Sequence, residues 1–159
     1  MPVIIDGHNL LWSIQKISEN FGPVSDVGLC RIVDRYLELS SENGEIIFDG
    51  IGPPDKSGFD NLNKLEVIFS GRNSDADTVI EGKVAESTAP GRLTVVSSDR
   101  RVRKAARTRK VTVIKSEVFW GNVQKRLSRR RMIKEPAAKR DGLSESETKQ
   151  WLKFFGLEQ

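Results

Sequence analysis

Five short runs rich in apolar and β-branched residues, at 2–6, 45–49, 65–70, 92–97 and 110–114, alternate with segments of helical spacing. No other feature constrains the fold as much. Strand–helix–strand units pair their strands in parallel and cover both sheet faces with helices. The reading is therefore α/β, with a mainly parallel central sheet. Between Gly28 and Ser41, apolar Leu29, Ile32, Val33, Tyr36 and Leu37 share one helical face, with Asp26 as the expected cap. Asn43-Gly44 turns the chain into the second strand. Ser74 or Asp75 is placed to cap a helix reaching about Ser87 that buries Val79, Ile80, Val84 and Ala85. A short basic helix is expected from Asp99 to Arg109. Another is expected from Ser116 to about Arg131, burying Val118, Phe119, Val123 and Leu127.

Acidic residues stand where these strands end. VIIDGHN closes on Asp6, EIIFDG on Asp49 and RLTVVSSD on Asp99. Parallel α/β sheets bind ligands outside the carboxyl ends of their strands. Asp6, Asp49 and Asp99 are therefore expected to meet at that edge, where they would repel unless a cation neutralised them, and Asp77, at a helix start, is expected to join Asp6 and Asp99 there. Hard, oxygen-ligated Mg²⁺ or Mn²⁺ suits such a set. Asn9 is placed to orient a neighbouring carboxylate or water. Asp77 and Glu81 lie four residues apart on one helical face, where like charges cost a few tenths of a kcal/mol. Asp75 and Asp77 have a second reading as residues that favour a helix N-terminus. Ser98 is a candidate donor to a phosphate or a metal-bound water. His8 is the single histidine, so no Ser-His-Asp or Cys-His arrangement exists without it. A structural or substrate contact is the preferred reading of His8 over a general base.

The charge distribution points to the partner. Residues 99–140 hold sixteen Lys or Arg against three acids, whereas residues 1–98 hold eight against fifteen. An anionic polymer matches such a basic third, and a plain solvated face is the alternative. Arg100, Arg101, Arg103, Lys104, Arg107, Arg129, Arg130 and Arg131 are the expected contacts to its phosphates, since arginine forks match phosphate oxygens. An acidic metal site beside a basic surface is what phosphodiester cleavage needs. No G-x-G-x-x-G or G-x-x-x-x-G-K-[ST] motif occurs, so no organic cofactor is expected.

The 159 residues give room for one core. One folded domain is expected over 1–131, then a basic linker and short amphipathic helix over 132–159. The linker is sketched by RRRMIKEPAAKRDGL, from 129 to 143. The helix is sketched by a Ser144–Glu147 capping box and by Trp151, Leu152, Phe154 and Phe155, which pack back or dock elsewhere. Gly50–Asn61, without periodicity, reads as a mobile substrate loop. No apolar run approaches 18 residues, so no membrane span is expected. The start lacks the features of a signal peptide, and the single Cys30 reads as a core residue. A cytoplasmic setting is expected.

Four pieces, IIDGHNLL, EIIFDG, FSGRNSDADTVIE and VVSSDRRVRKAAR, in this order and spacing, resemble the NYN domain family of PIN-like nucleases. The likeness is nearest to its YacP-like bacterial group. These pieces span 3–107, and the likeness fades after about residue 116. The resemblance implies a PIN-like three-layer α/β/α sandwich and ribonuclease activity. It implies an acidic Mg²⁺ or Mn²⁺ pocket on Asp6, Asp77 and Asp99, with Asn9, Asp75 and Glu81 as further members. Asp49 matches a strand end of the family. Messenger RNA as substrate and ribosome association are also implied. His8 stands where such proteins often carry an aromatic residue. Two other functions compete. One is an RNA- or ribosome-binding protein with a vestigial pocket, which would show a lost site carboxylate; none is missing. The other is a phosphatase of the haloacid-dehalogenase type, because Asp75-Ala76-Asp77-Thr78-Val79 imitates that signature. There the signature directly follows a strand, whereas Gly71–Ser74 intervene here.

Overall fold

The computed structural model describes residues 2–17 and 24–134, the last five by their backbone alone. Five parallel strands form one sheet: β1 (Val3–Asp6), β2 (Gly44–Phe48), β3 (Leu65–Phe69), β4 (Thr94–Val96) and β5 (Thr112–Ile114), in the order β3-β2-β1-β4-β5. Five α-helices connect and cover them: α1 (Gly7–Ile17), α2 (Asp26–Ser40), α3 (Ala76–Glu86), α4 (Arg100–Thr108) and α5 (Ser116–Lys134). The α/β sandwich expected from the sequence is the fold observed.

Strand alternation divides the core in two. Val3, Ile5, Ile46, Phe48 and Val96 pack under α1, α2 and α5, with Leu10, Ile14, Leu37, Phe119, Trp120 and Val123. Ile4, Ile47 and Val95 point the other way, onto Ile80 and Val84 of α3 and Val102 and Ala106 of α4. Because side chains alternate along a strand, this parity also aims the residues at the strand ends. Cys30 lies wholly buried in the first core, and burial pushes its thiol up to about 12. It is a core residue, as expected.

Several boundaries differ from the sequence reading. Ser25, not Asp26, caps α2, its Oγ accepting from the Gly28 amide at 2.9 Å. Asp26 lies in the first turn, where its charge still favours the helix N-terminus. Val118 is 52% exposed and Ala85 is also exposed, so neither belongs to the core face expected for it. The loop after β2 carries a 3₁₀ turn at Ser57–Phe59, and Phe59 meets Phe69 edge-on at 5.6 Å. Helix α5 runs to Lys134, so the expected linker is helical where it begins. The Ser144–Glu147 capping box and the Trp151, Phe154 and Phe155 cluster lie outside the described residues.

The entry to β3 depends on one buried acid. Asp34 Oδ1 on α2 accepts from three consecutive backbone amides, Asn63 at 3.0 Å, Lys64 at 2.7 Å and Leu65 at 3.0 Å. No apolar side chain replaces that acceptor. Asp34→Ala should therefore destabilise the fold by about 3 kcal/mol, the loss expected when amides lose a charged acceptor. Urea unfolding checks this. A loss under about 1 kcal/mol would mean that water satisfies these amides.

Candidate active site

The strand order reverses between β1 and β4, and a parallel sheet opens a crevice there at its carboxyl edge. The chain turns into α1 immediately after Asp6, and the turn needs glycine. A Cβ on Gly7 would lie 2.5 Å from the Phe48 ring and 3.0 Å from the Ile47 carbonyl. Asp6 shares its parity with Ile4, Asp49 with Ile47, and Ser97 with Val95, so all three are aimed at the α3 and α4 side.

Asp6 is only 5% exposed. It accepts from the Ser97 hydroxyl at 3.2 Å and from the Asn9 backbone amide. Burial first, then repulsion from Asp77 and Asp49, pushes its carboxyl up to about 6, against those hydrogen bonds. Asp77, in the first turn of α3, is also raised. Burial is the main cause, followed by Asp99 and Asp75, while Arg101 pulls it back and Asp49 adds repulsion. Asp99 caps α4, its Oδ1 accepting from the Arg101 amide at 2.9 Å and the Val102 amide at 3.2 Å. Its own amide donates to Ser97 Oγ at 3.0 Å. One buried hydroxyl thus joins Asp6 to Asp99. Asp77 thus lies within electrostatic reach of Asp6, Asp49 and Asp99, and Asp49 within reach of Asp6, all at the carboxyl edge of the sheet.

The other expected site residues have different positions. Asp75 caps α3 through the Thr78 amide at 2.7 Å, and the Thr78 hydrogen bonds hold its carboxyl below the usual range. Arg101 is turned onto α3. It pairs with Glu81 at 2.6 Å and Asp75 at 3.8 Å, and donates to Thr78 Oγ1 at 3.1 Å. Its partners are thus carboxylates, whereas the sequence placed it against phosphate. Asp75 and Asp77 lie six and eight residues past the end of β3, which excludes the strand-following geometry of the phosphatase signature.

Asn9 ties the loop after β4 to α5. Its Oδ1 accepts from the Ser98 amide at 2.9 Å and the Ser116 hydroxyl at 2.6 Å. The Ser98 hydroxyl donates to Glu117 at 2.7 Å and accepts from the Ser116 amide at 3.0 Å. This bond holds the Glu117 carboxyl below its usual range. His8 Nδ1 lies 3.3 Å from Asp49 Oδ2 and 3.4 Å from the Asp49 amide. In the tautomer protonated at Nε2, that nitrogen accepts from the amide; with a proton on Nδ1, it donates to the carboxylate. The other Asp49 oxygen accepts from the Ala76 amide at 2.6 Å.

Sequence reasoning missed Ser97, Ser116 and Glu117. Ser97 carried a usable signal, as a polar residue at the parity that buries Val95. The other two had none, because their role depends on α5 starting beside the loop after β4.

The basic residues divide between two ends of the molecule. Arg100, Arg103, Lys104 and Arg107 line one shallow groove on α4, starting at the acidic edge. Arg129 lies thirteen residues along α5 from Ser116, roughly 20 Å at the rise of a helix. Arg126 already donates to the Leu39 carbonyl at the far end of α2, so Arg129 stands at the opposite end from Asp6. The Arg130 and Arg131 side chains lie outside the described residues.

The donor set is hard oxygen, the chemistry Mg²⁺ or Mn²⁺ prefers. Among the described residues, no three His, Cys, Asp or Glu side chains stand close enough to hold a metal as they lie. Asp6, Asp77 and Asp99 thus offer the oxygen chemistry that a divalent cation prefers without, as they lie, a ligating geometry.

The family model for the YacP-like NYN domain matches residues 3–155. The match runs well past residue 116, where the sequence likeness was expected to fade, and takes in the basic segment and most of the tail. A crystal structure of Rae1 (YacP) from Bacillus subtilis is similar, with a TM-score of 0.63 at 18% identity. The similarity covers 98% of this chain and 92% of that one. A single-substitution mutant of the same protein gives 0.65 at 18% identity, covering 98% and 93%. No curated protein sequence matches the chain.

The Asp6 shift has a measurable sign. Its carboxyl binds protons more tightly folded, near 6, than at the ordinary value of 3.8, so its ionisation weakens the fold as pH rises between them. Asp6→Asn should therefore be more stable than the parent at pH 8, by roughly 3 kcal/mol at most, and lose that advantage below about pH 4. Thermal melts across this range check it. A variant with no gain at pH 8 would contradict the buried, repelled carboxylate.

Proposed function

Because the chain belongs to the YacP-like NYN domain family, a nuclease family, we propose that it is a divalent-metal-dependent endoribonuclease acting on single-stranded RNA. The observation that carries this reading is the mutual field of Asp6, Asp77, Asp99 and Asp49 at the sheet edge where the basic helix α4 begins. Ribosome-associated messenger RNA as the target belongs to the same proposal and rests on the family likeness.

In this reading Asp6, Asp77 and Asp99 would hold Mg²⁺ or Mn²⁺, and Asp49 would add to the negative field that attracts it. The cation, when bound, polarises the phosphate and offsets the charge that builds on it. The chain's own residues provide the rest. Ser97 fixes the spacing of Asp6 and Asp99. Arg101 holds Asp75 and Glu81 against the outer side of α3, leaving Asp77 to face Asp6. Asn9 and Ser98 position the start of α4, and His8 orients Asp49. Arg100, Arg103, Lys104 and Arg107 draw the RNA backbone toward the acids. Helices α1, α3 and α4 begin at this edge, so their positive ends favour the carboxylates and a phosphate alike.

A vestigial pocket in an RNA-binding protein is the second reading. It is favoured by the absence, among the described residues, of three acids already in ligating range. One experiment separates the two. Labelled RNA is incubated with and without Mn²⁺, using the parent, Asp6→Asn and Asp77→Asn. The nuclease reading expects divalent-dependent cleavage that falls on the order of 100-fold or more in either variant. RNA binding should stay equal or tighten, because an acid that repels phosphate has gone. Binding without cleavage by the parent would support the vestigial pocket.

The two basic regions should also separate. Neutralising Arg100, Arg103 and Arg107 together should weaken RNA binding and reduce its salt dependence, by roughly 0.7 in slope for each single-strand phosphate that is no longer neutralised. Neutralising Arg129 should leave cleavage at the acidic edge unchanged. Equal effects from both changes would mean that the RNA path reaches the far end of α5.

A further inference from the structure

Helix α1 presents an unusual outer face. Its exposed residues are His8, Trp12, Gln15, Lys16 and Ile17, and the whole helix lacks a carboxylate. It stands in the half of the chain that is otherwise net acidic. Trp12 is 58% exposed, and the Lys16 ammonium lies 4.8 Å from its ring centroid. Among the described residues, packing makes little use of that large indole. His8, Trp12 and Lys16 are spaced four residues apart, so they form one line along the helix at about 6 Å per step. The line starts at the acidic cluster, because His8 Nδ1 touches Asp49. The basic groove of α4 approaches the same edge from the opposite sheet face.

We propose that the exposed face of α1 is a binding track for single-stranded RNA, with Trp12 as its base-stacking platform and Lys16 as its phosphate contact. The proposal rests on the ribonuclease reading and names where the substrate leaves the acidic edge. Aromatic faces accept any base, and a nearby cation adds to the stacking. An acid-free face suits an anionic chain. RNA would then cross the carboxyl edge, held by the α4 arginines on one side and by α1 on the other. The expected preference is for single strands, since paired bases have no free face to offer an indole.

The test measures binding apart from cleavage. Full-length parent, Trp12→Ala, Trp12→Phe and Lys16→Ala are titrated into a fluorescein-labelled single-stranded RNA and a duplex of equal length. Anisotropy is read in EDTA, where no divalent-dependent cleavage occurs. Trp12→Ala should weaken single-strand binding by about tenfold or more, with an unchanged salt slope and unchanged duplex binding. Trp12→Phe should restore most of the affinity, while Lys16→Ala should lower the salt slope by roughly 0.7. Thermal melts confirm that each variant is folded. If Trp12→Ala binds single strands as tightly as the parent, the proposal is overturned, and this face serves another partner such as a protein. A parent that binds RNA through Trp12 yet cleaves nothing with Mn²⁺ would uphold the track and refute the nuclease reading.

Discussion

Carboxylates held together at one sheet edge repel one another, and the rest of this structure is arranged around that repulsion. Asp6, Asp49, Asp77 and Asp99 come from three strand ends and a helix start, so the topology that brings them together also fixes their closeness. The fold bears the cost because three of these acids also have a local partner. Asp99 caps a helix, Asp49 accepts from the α3 backbone, and Asp6 takes the Ser97 hydroxyl. Residual strain of this kind concentrates at functional sites, where a ligand relieves it.

Charge compensation is distributed unevenly, and the unevenness has consequences. Arg101 bridges Asp75 and Glu81, the two acids that face outward from the cluster. This exposed pairing adds little stability by itself. Its effect is positional, since it fastens α3 to α4 while offsetting part of the repulsion on Asp77. Asp6, buried against Ser97, remains the most strongly perturbed member. Asp6 and Asp77 thus keep their mutual repulsion, whereas Asp75 and Glu81 are already matched.

Much of this was legible in the sequence, for physical reasons. Short β-branched runs ending in aspartate fixed both the sheet and the edge at which Asp6, Asp49 and Asp99 stand. The helix-start position of Asp77 followed from the caps beside it. What escaped was direction. Arg100 and Arg101 are neighbours in sequence, yet one lines the outer groove and the other folds onto α3, since successive helical residues point about 100° apart. Arg129 looked like a continuation of the basic surface. It lies at the far end because α5 runs back along the sheet. Ser97 was overlooked in favour of Ser98, although strand parity aims Ser97 at Asp6. Trp12 gave no signal, because an exposed aromatic on a helix cannot be told from a core residue before the helix is packed.

The central claim is that these acids form an incomplete site which a divalent cation completes. The most direct measurement is the free Mn²⁺ signal in electron paramagnetic resonance, titrated with full-length protein across pH. The account predicts saturable binding that tightens as pH rises through about 6, where Asp6 loses its proton, and that disappears in Asp77→Asn. Absence of saturable binding, or binding indifferent to both pH and Asp77, would contradict it.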